Sequence, residues 1–334
     1  MNKITSIIIF LSLSQIVTSL PKVCLEHEAC YEGNWLQTEA ALGIFASFQG
    51  IRYAQSPEND LRFKPPKSYQ DAKGTYNVSQ EVTIACPQFD ENDQKVIGQE
   101  DCLFLNVYVP KSAFDDPNVG KIPVMIWIHG GGLQYGGNWY SRYGPKHFID
   151  KDVIVVAINY RLNILGFLTL GNEDAPGNLG LRDQILALSW VQEYIERFGG
   201  DPGSVTIFGE SAGALSVQLH LLSPMSKGLF QRAIIQSGSG ICLRSRVLSP
   251  EEALASVDYV LDYFGCNQTI MEKLQCLQNQ SIEKLLEFYS SNHPEIVNNT
   301  VLFSFSCMFT IIVISREMCT ETPVLMEISR LSLI

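Results

Sequence analysis

The chain has 334 residues, of which 46% are apolar and 18% charged, and a formal net charge of −11. This composition supplies apolar surface for one large core and excludes a disordered chain. The acidic balance, without any basic stripe to neutralise phosphates, excludes nucleic acid as a partner.

In chain order, residues 1–19 read as a secretory signal. Lys3 gives a minimal positive end, residues 7–13 an apolar core, and Val17-Thr18-Ser19 a small-residue cleavage site, with cleavage expected after Ser19. The run is short for a membrane helix and carries serines and threonines, so no stable membrane span is expected. Sequons at Asn77, Asn267, Asn279 and Asn298 are potential glycan acceptors and agree with a route through the ER lumen to the outside of the cell. Nine cysteines exceed the usual need of a cytosolic enzyme. Their spacing suits loop closures better than metal ligation, since no paired C-x-x-C or neighbouring histidine occurs; neither a metal nor a cofactor is expected. Cys24 and Cys30 could pair near the mature amino terminus, and Cys86 with Cys102 would close a polar surface loop, stabilising by about 3 kcal/mol in the chain-entropy picture. Cys266 and Cys276 flank a shorter loop. Cys242, Cys307 and Cys319 have no evident partners, and the odd total leaves a free thiol or an intermolecular bond.

Residues 43–48 and 50–54 alternate like two short strands before the turn-forming Pro57 and Pro65-Pro66. Residues 103–109, 124–128, 153–158 and 205–208 are nearly continuous apolar runs, the mark of strands buried on both faces, and 233–237 is a further short strand. Between them, residues 179–198 carry Leu181, Ile185, Leu188, Val191 and Ile195 at helical spacing, stopped by Gly199-Gly200. Strands alternating with helices imply an α/β fold with a mostly parallel sheet covered on both sides.

Two of these strands end in chemistry. Residues 205–208 lead into Gly209-Glu210-Ser211-Ala212-Gly213, followed by a helical pattern, which is the setting of a nucleophile elbow. A turn this sharp forces the serine into strained backbone angles and lifts its Oγ clear of the sheet. The bare G-x-S-x-G pattern also fits an ordinary glycine-rich turn; the strand before it and the helix after it make Ser211 the candidate nucleophile. Residues 123–128 lead into His129-Gly130-Gly131-Gly132, an oxyanion-type motif. A serine attacking an ester carbonyl creates an oxyanion that preset N–H groups must meet, and one missing donor costs about 2.7–4 kcal/mol of barrier. The amides of Gly131, Gly132 and Ala212 are the candidate donors. A flexible glycine loop or a phosphate cradle are the alternatives, although no Gly-Lys-Ser/Thr follows. His129 reads as a structural residue, because it precedes Ser211 in a fold where the base follows the nucleophile.

The stretch Gly177-Asn178-Leu179-Gly180-Leu181-Arg182-Asp183-Gln184, together with Phe198-Gly199-Gly200-Asp201-Pro202, the elbow, and Glu100-Asp101-Cys102-Leu103-Phe104-Leu105-Asn106-Val107, resembles the type-B carboxylesterases, the cholinesterase-like branch of the α/β-hydrolases, over about residues 43–285. The resemblance implies a mostly parallel central sheet covered by helices, a small-molecule ester substrate, an acyl-enzyme on Ser211 and no cofactor. It also implies disulfides Cys86–Cys102 and Cys266–Cys276 and an ion pair between Arg62 and Glu100, for which two unrelated surface charges remain the alternative. The family's choline-stacking tryptophan is expected between Cys86 and Cys102, where none stands, which disfavours a quaternary-ammonium substrate.

The family's triad runs serine, acid, histidine. Only Ser211 is identifiable. His220 lies nine residues on along the same helix, roughly 13 Å up its axis, and His293 sits in a loop that the resemblance does not place near the site. The expected reading is one incomplete hydrolase domain over residues 20–300, with the C-terminal part of the fold missing, and a divergent apolar tail over 301–334 that forms a core strand or helix. A truncated or alternatively ended chain would leave a hydrophobic sheet edge open and the enzyme impaired. A catalytically inactive extracellular binding or adhesion protein is the alternative.

Overall fold

The computed structural model describes residues 19–38, 43–90, 92–115, 121–238, 249–267, 269–290 and 311–315. The expected signal segment up to residue 18, Cys242, His293, Asn298, Cys307, Cys319 and the tail apart from 311–315 therefore lie outside the described residues.

Thirteen strands and eight α-helices are described. The strands are β1 (Lys22–Cys24), β2 (Ala29–Glu32), β3 (Asn34–Gln37), β4 (Ile44–Arg52), β5 (Gly74–Asn77), β6 (Gln88–Asp90), β7 (Lys95–Ile97), β8 (Phe104–Pro110), β9 (Ile122–Ile128), β10 (Ile154–Ile158), β11 (Gly200–Glu210), β12 (Arg232–Gln236) and β13 (Ile311–Ser315). The helices are α1 (Ser112–Asp115), α2 (Tyr140–Tyr143), α3 (Asn163–Phe167), α4 (Leu179–Tyr194), α5 (Ala212–Leu222), α6 (Pro250–Phe264), α7 (Ile270–Gln278) and α8 (Ile282–Ser290).

The central sheet has eight strands in the order β13-β12-β11-β9-β10-β8-β4-β3. Its middle, β12, β11, β9 and β10, is parallel throughout. The flanking pairings β10–β8, β8–β4, β4–β3 and β12–β13 are antiparallel. The parallel strands are those with the continuous apolar runs, because helices cover both of their faces. All five residues of β10 are buried. One face packs Val124, Ile126, Val156, Val205 and Ile207 against Leu188, Val191 and Val217 of α4 and α5. The other packs Trp127, Val155, Ala157 and Phe208 under Tyr140 and Tyr143.

Two expectations change. The two runs within 43–54 form one strand, β4 (Ile44–Arg52), with a register shift between Phe48 and Ile51, and not two separate ones. Gly50, at φ 79, absorbs the bulge, and its amide donates to Asn106 Oδ1 at 2.9 Å. The edge of β12 expected to stand open is paired instead: Arg232–Gln236 meet Ser315–Ile311 in antiparallel register. The apolar run Ile311-Ile312-Val313-Ile314 supplies the partner for the exposed ladder.

Buried ion pairs and disulfides tie the elements together. Arg161, after β10, donates to both carboxylate oxygens of Asp183 on α4 at 2.8 and 2.6 Å, and the pair is almost wholly buried. Arg62 pairs with Glu100 at 2.5 and 2.6 Å and also donates to the carbonyls of Gln278 and Gln280 at the end of α7. These are therefore not two unrelated charges. Disulfides join Cys24 to Cys30 across β1 and β2, Cys86 to Cys102, and Cys266 to Cys276. Both ends of the 86–102 loop are buried.

Candidate active site

The two motifs meet because their strands are neighbours. β9 and β11 run parallel, with Ile128 opposite Gly209, so that 129–132 and 209–213 leave the sheet side by side at the carboxyl ends of the strands. Ser211 has φ 57 and ψ −119, a conformation that few residues with a Cβ adopt. Its backbone is held from both sides: the amide donates to Gln236 O at 3.0 Å, and the carbonyl accepts from Leu215 N at 3.1 Å. The glycines of the motif are required by contact. A Cβ on Gly213 would lie 2.1 Å from Ile128 O, and one on Gly209 would lie 2.6 Å from the Gly213 carbonyl carbon. A Cβ on Gly130 would come within 3.2 Å of Ser211 Cβ, which measures how tightly the glycine loop lies against the serine.

Gly131 and Gly132 both have positive φ, 101 and 62. The Gly131 carbonyl accepts from the amides of Gln134 and Tyr135 at 2.9 and 3.1 Å and so turns back into its own loop. Among the described residues, no acceptor engages the amides of Gly131, Gly132 or Ala212. Ala212 also opens α5, where unpaired N–H groups and the helix dipole favour negative charge. Three free donors thus stand near a half-buried serine whose Oγ has no hydrogen-bond partner among the described residues.

No described histidine bonds that hydroxyl. His129 is buried, with its ring stacked on Tyr160 at 4.4 Å and Nδ1 at 2.8 Å from Gly130 O; Tyr160 in turn donates to His129 O at 2.7 Å. Burial lowers its pKa to about 4, Arg142 acting in the same direction against the bond to Gly130. His220 is buried between Ser226 Oγ at 2.9 Å and Gln184 Oε1 at 2.7 Å, and burial takes it to about 4 as well. Both ring nitrogens are in use. Glu210, beside the serine, has its carboxyl pKa raised by burial, with Arg142 opposing.

Several supports have no motif of their own in the sequence. Gln184 donates to Ser216 Oγ at 3.2 Å, and Ser216 donates to Ala212 O at 3.0 Å, so the His220 network reaches the first turn of the elbow helix. Ser216 and His220 are four apart on α5, a spacing that marks one face, but the partner on α4 is set by packing. Asn106, Asn138 and Asn159 are buried and linked: Asn106 Nδ2 donates to Asn138 O at 2.9 Å, and Asn138 N to Asn159 Oδ1 at 2.8 Å. Three of the four sequon asparagines, Asn77, Asn267 and Asn279, are exposed. Among the described residues no cluster of His, Cys, Asp or Glu could hold a metal ion, and no helix is long and apolar enough to cross a membrane.

A family model for the carboxylesterase family matches residues 28–325. Esterase FE4 of Myzus persicae is 41% identical over 279 residues, covering 83% of this chain and 48% of that protein. Juvenile hormone esterase of Tribolium castaneum is 43% identical over 249 residues, covering 73% and 41%. Cholinesterase of Mus musculus is 42% identical over 257 residues, covering 73% and 42%. The chain spans about half the length of the curated relatives it matches.

Proposed function

The chain belongs to the carboxylesterase family, and from that premise we propose that it carries the nucleophile and the oxyanion hole of a secreted carboxylic-ester hydrolase. Ser211 Oγ attacks the ester carbonyl, the amides of Gly131, Gly132 and Ala212 stabilise the oxyanion, the alcohol leaves, and water hydrolyses the acyl-enzyme. The observation that carries this reading is the strained Ser211, packed against a glycine loop in which the amides of Gly131 and Gly132 have no acceptor among the described residues. The missing tryptophan between Cys86 and Cys102 favours a neutral ester over a choline ester.

The reaction needs a base to take the serine proton; among the described residues no histidine bonds the Ser211 hydroxyl, and both His129 and His220 are buried, neutral and engaged elsewhere. These 334 residues alone therefore turn esters over very slowly, since disabling a catalytic triad costs about 10⁶ in kcat. An inactive extracellular binding protein is the second reading, and the serine hydroxyl without a partner among the described residues is what favours it. An activated fluorophosphonate separates the two. Slow covalent labelling that disappears in Ser211→Ala supports the hydrolase, whereas a Ser211 that stays unlabelled on long exposure supports the binding protein. Secretion and glycans on Asn77, Asn267 and Asn279, with Asn298 as a fourth acceptor, belong to the same proposal; enzymatic deglycosylation of protein from the culture medium, read by mass, tests them.

A further inference from the structure

We propose that Gln88 is a positioning residue that holds the glycine loop in its donor-out shape, tying it to the disulfide-closed loop 86–102; this rests on the hydrolase reading of the same site. Gln88 opens β6 and is buried. Its side-chain amide pairs with Gly136 in the manner of a strand: Gly136 N donates to Gln88 Oε1 at 2.8 Å, and Gln88 Nε2 donates to Gly136 O at 2.8 Å. The remaining Nε2 hydrogen goes to Cys86 O at 3.0 Å, beside the Cys86–Cys102 bond.

Gly136 is where such a hold acts on the site. At φ 123, a Cβ there would lie 2.4 Å from His129 Nδ1 and 2.9 Å from Gly130 O, so its backbone is pressed against the start of the glycine loop. The far side of the loop is tied as well, because Asn163 N donates to Leu133 O at 2.7 Å and Asn163 Nδ2 to Pro87 O at 2.8 Å. With both ends fixed to residues 86–88, the amides of Gly131 and Gly132 cannot rotate inward to find other acceptors. Donors that are set before the reaction need no reorganisation during it.

The test compares wild type, Gln88→Ala and Gln88→Glu in the full chain, by residue-resolved amide exchange over 130–136 and by the rate at which an activated fluorophosphonate labels Ser211. In Gln88→Glu the carboxyl group would face two carbonyl oxygens and keep its proton, so that it can still accept from Gly136 N and donate to Gly136 O. The expected result is faster exchange confined to the bonded amides of 134–136 in Gln88→Ala, labelling slower by about 10- to 100-fold, and an intermediate Gln88→Glu. Three results would each overturn the proposal: unchanged exchange at 134–136, exchange that rises equally through β9 and β11, or faster loop exchange with an unchanged labelling rate. A wild type that is never labelled would count against Ser211 as the nucleophile; exchange at 134–136 would still decide whether Gln88 holds the loop.

Discussion

Ser211 combines a requirement of geometry with a cost of conformation. A residue with a Cβ at φ 57 and ψ −119 costs about 1–3 kcal/mol, which the surrounding contacts must over-determine. Ser211→Gly is therefore expected to raise the thermal midpoint by a few degrees while abolishing labelling, and Ser211→Ala to abolish labelling without that gain; differential scanning fluorimetry with mass analysis reads both. Gly213→Ala is expected to fail, because the new methyl carbon would meet a backbone oxygen at 2.1 Å that no rotamer can avoid. Its check is the yield of soluble protein beside wild type. His129 and His220 give a pH dependence. Burial holds both folded pKa values near 4, below the ordinary histidine value of 6.5, so the unfolded chain binds more protons between these limits. Stability is then complete above about pH 6.5 and falls as the pH drops toward 4. Urea midpoints across that range should show the loss, and His220→Gln should flatten it.

At the scale of elements, the elbow works because α5 begins where β11 ends, and the helix is pinned to its neighbours by buried polar groups as well as apolar ones. The Arg161–Asp183 pair joins the loop after β10 to the amino end of α4. Asp183→Asn leaves a buried guanidinium without its counter-charge and is expected to lower stability by about 3–5 kcal/mol, measured by equilibrium urea unfolding. Much at this scale was legible in the sequence. The apolar runs near 124–128, 153–158 and 205–208 became β9, β10 and β11, and the helical periodicity after 179 became α4, continued by a 3₁₀ turn to Phe198 and ended by Gly199 at φ 82. The bulge in β4 was not legible, since a glycine between two alternating runs looks the same whether it ends a strand or kinks one.

At the scale of the molecule, the parallel middle of the sheet is closed on one side by β8, β4 and β3 and on the other by β13. A five-residue strand on the last parallel one converts an open row of backbone groups into a paired one. Replacing Ile311–Ser315 with a Gly-Ser stretch is expected to expose the edge of β12 and cause association, seen as a rise in static light scattering with concentration.

The sequence by itself determined the candidate nucleophile, the glycines beside it, the α/β alternation and the spacing of the cysteine pairs. Each of these is a local demand: a turn that needs glycine, a strand that needs apolar residues on both faces, a loop short enough to close. Only the tertiary structure decided which polar side chains support the site. Gln88 reaches Gly136, Gln184 reaches His220 and Asn163 reaches Pro87 across 48, 36 and 76 positions of chain. No spacing rule extends that far, because such contacts depend on how the sheet brings separate loops to one edge.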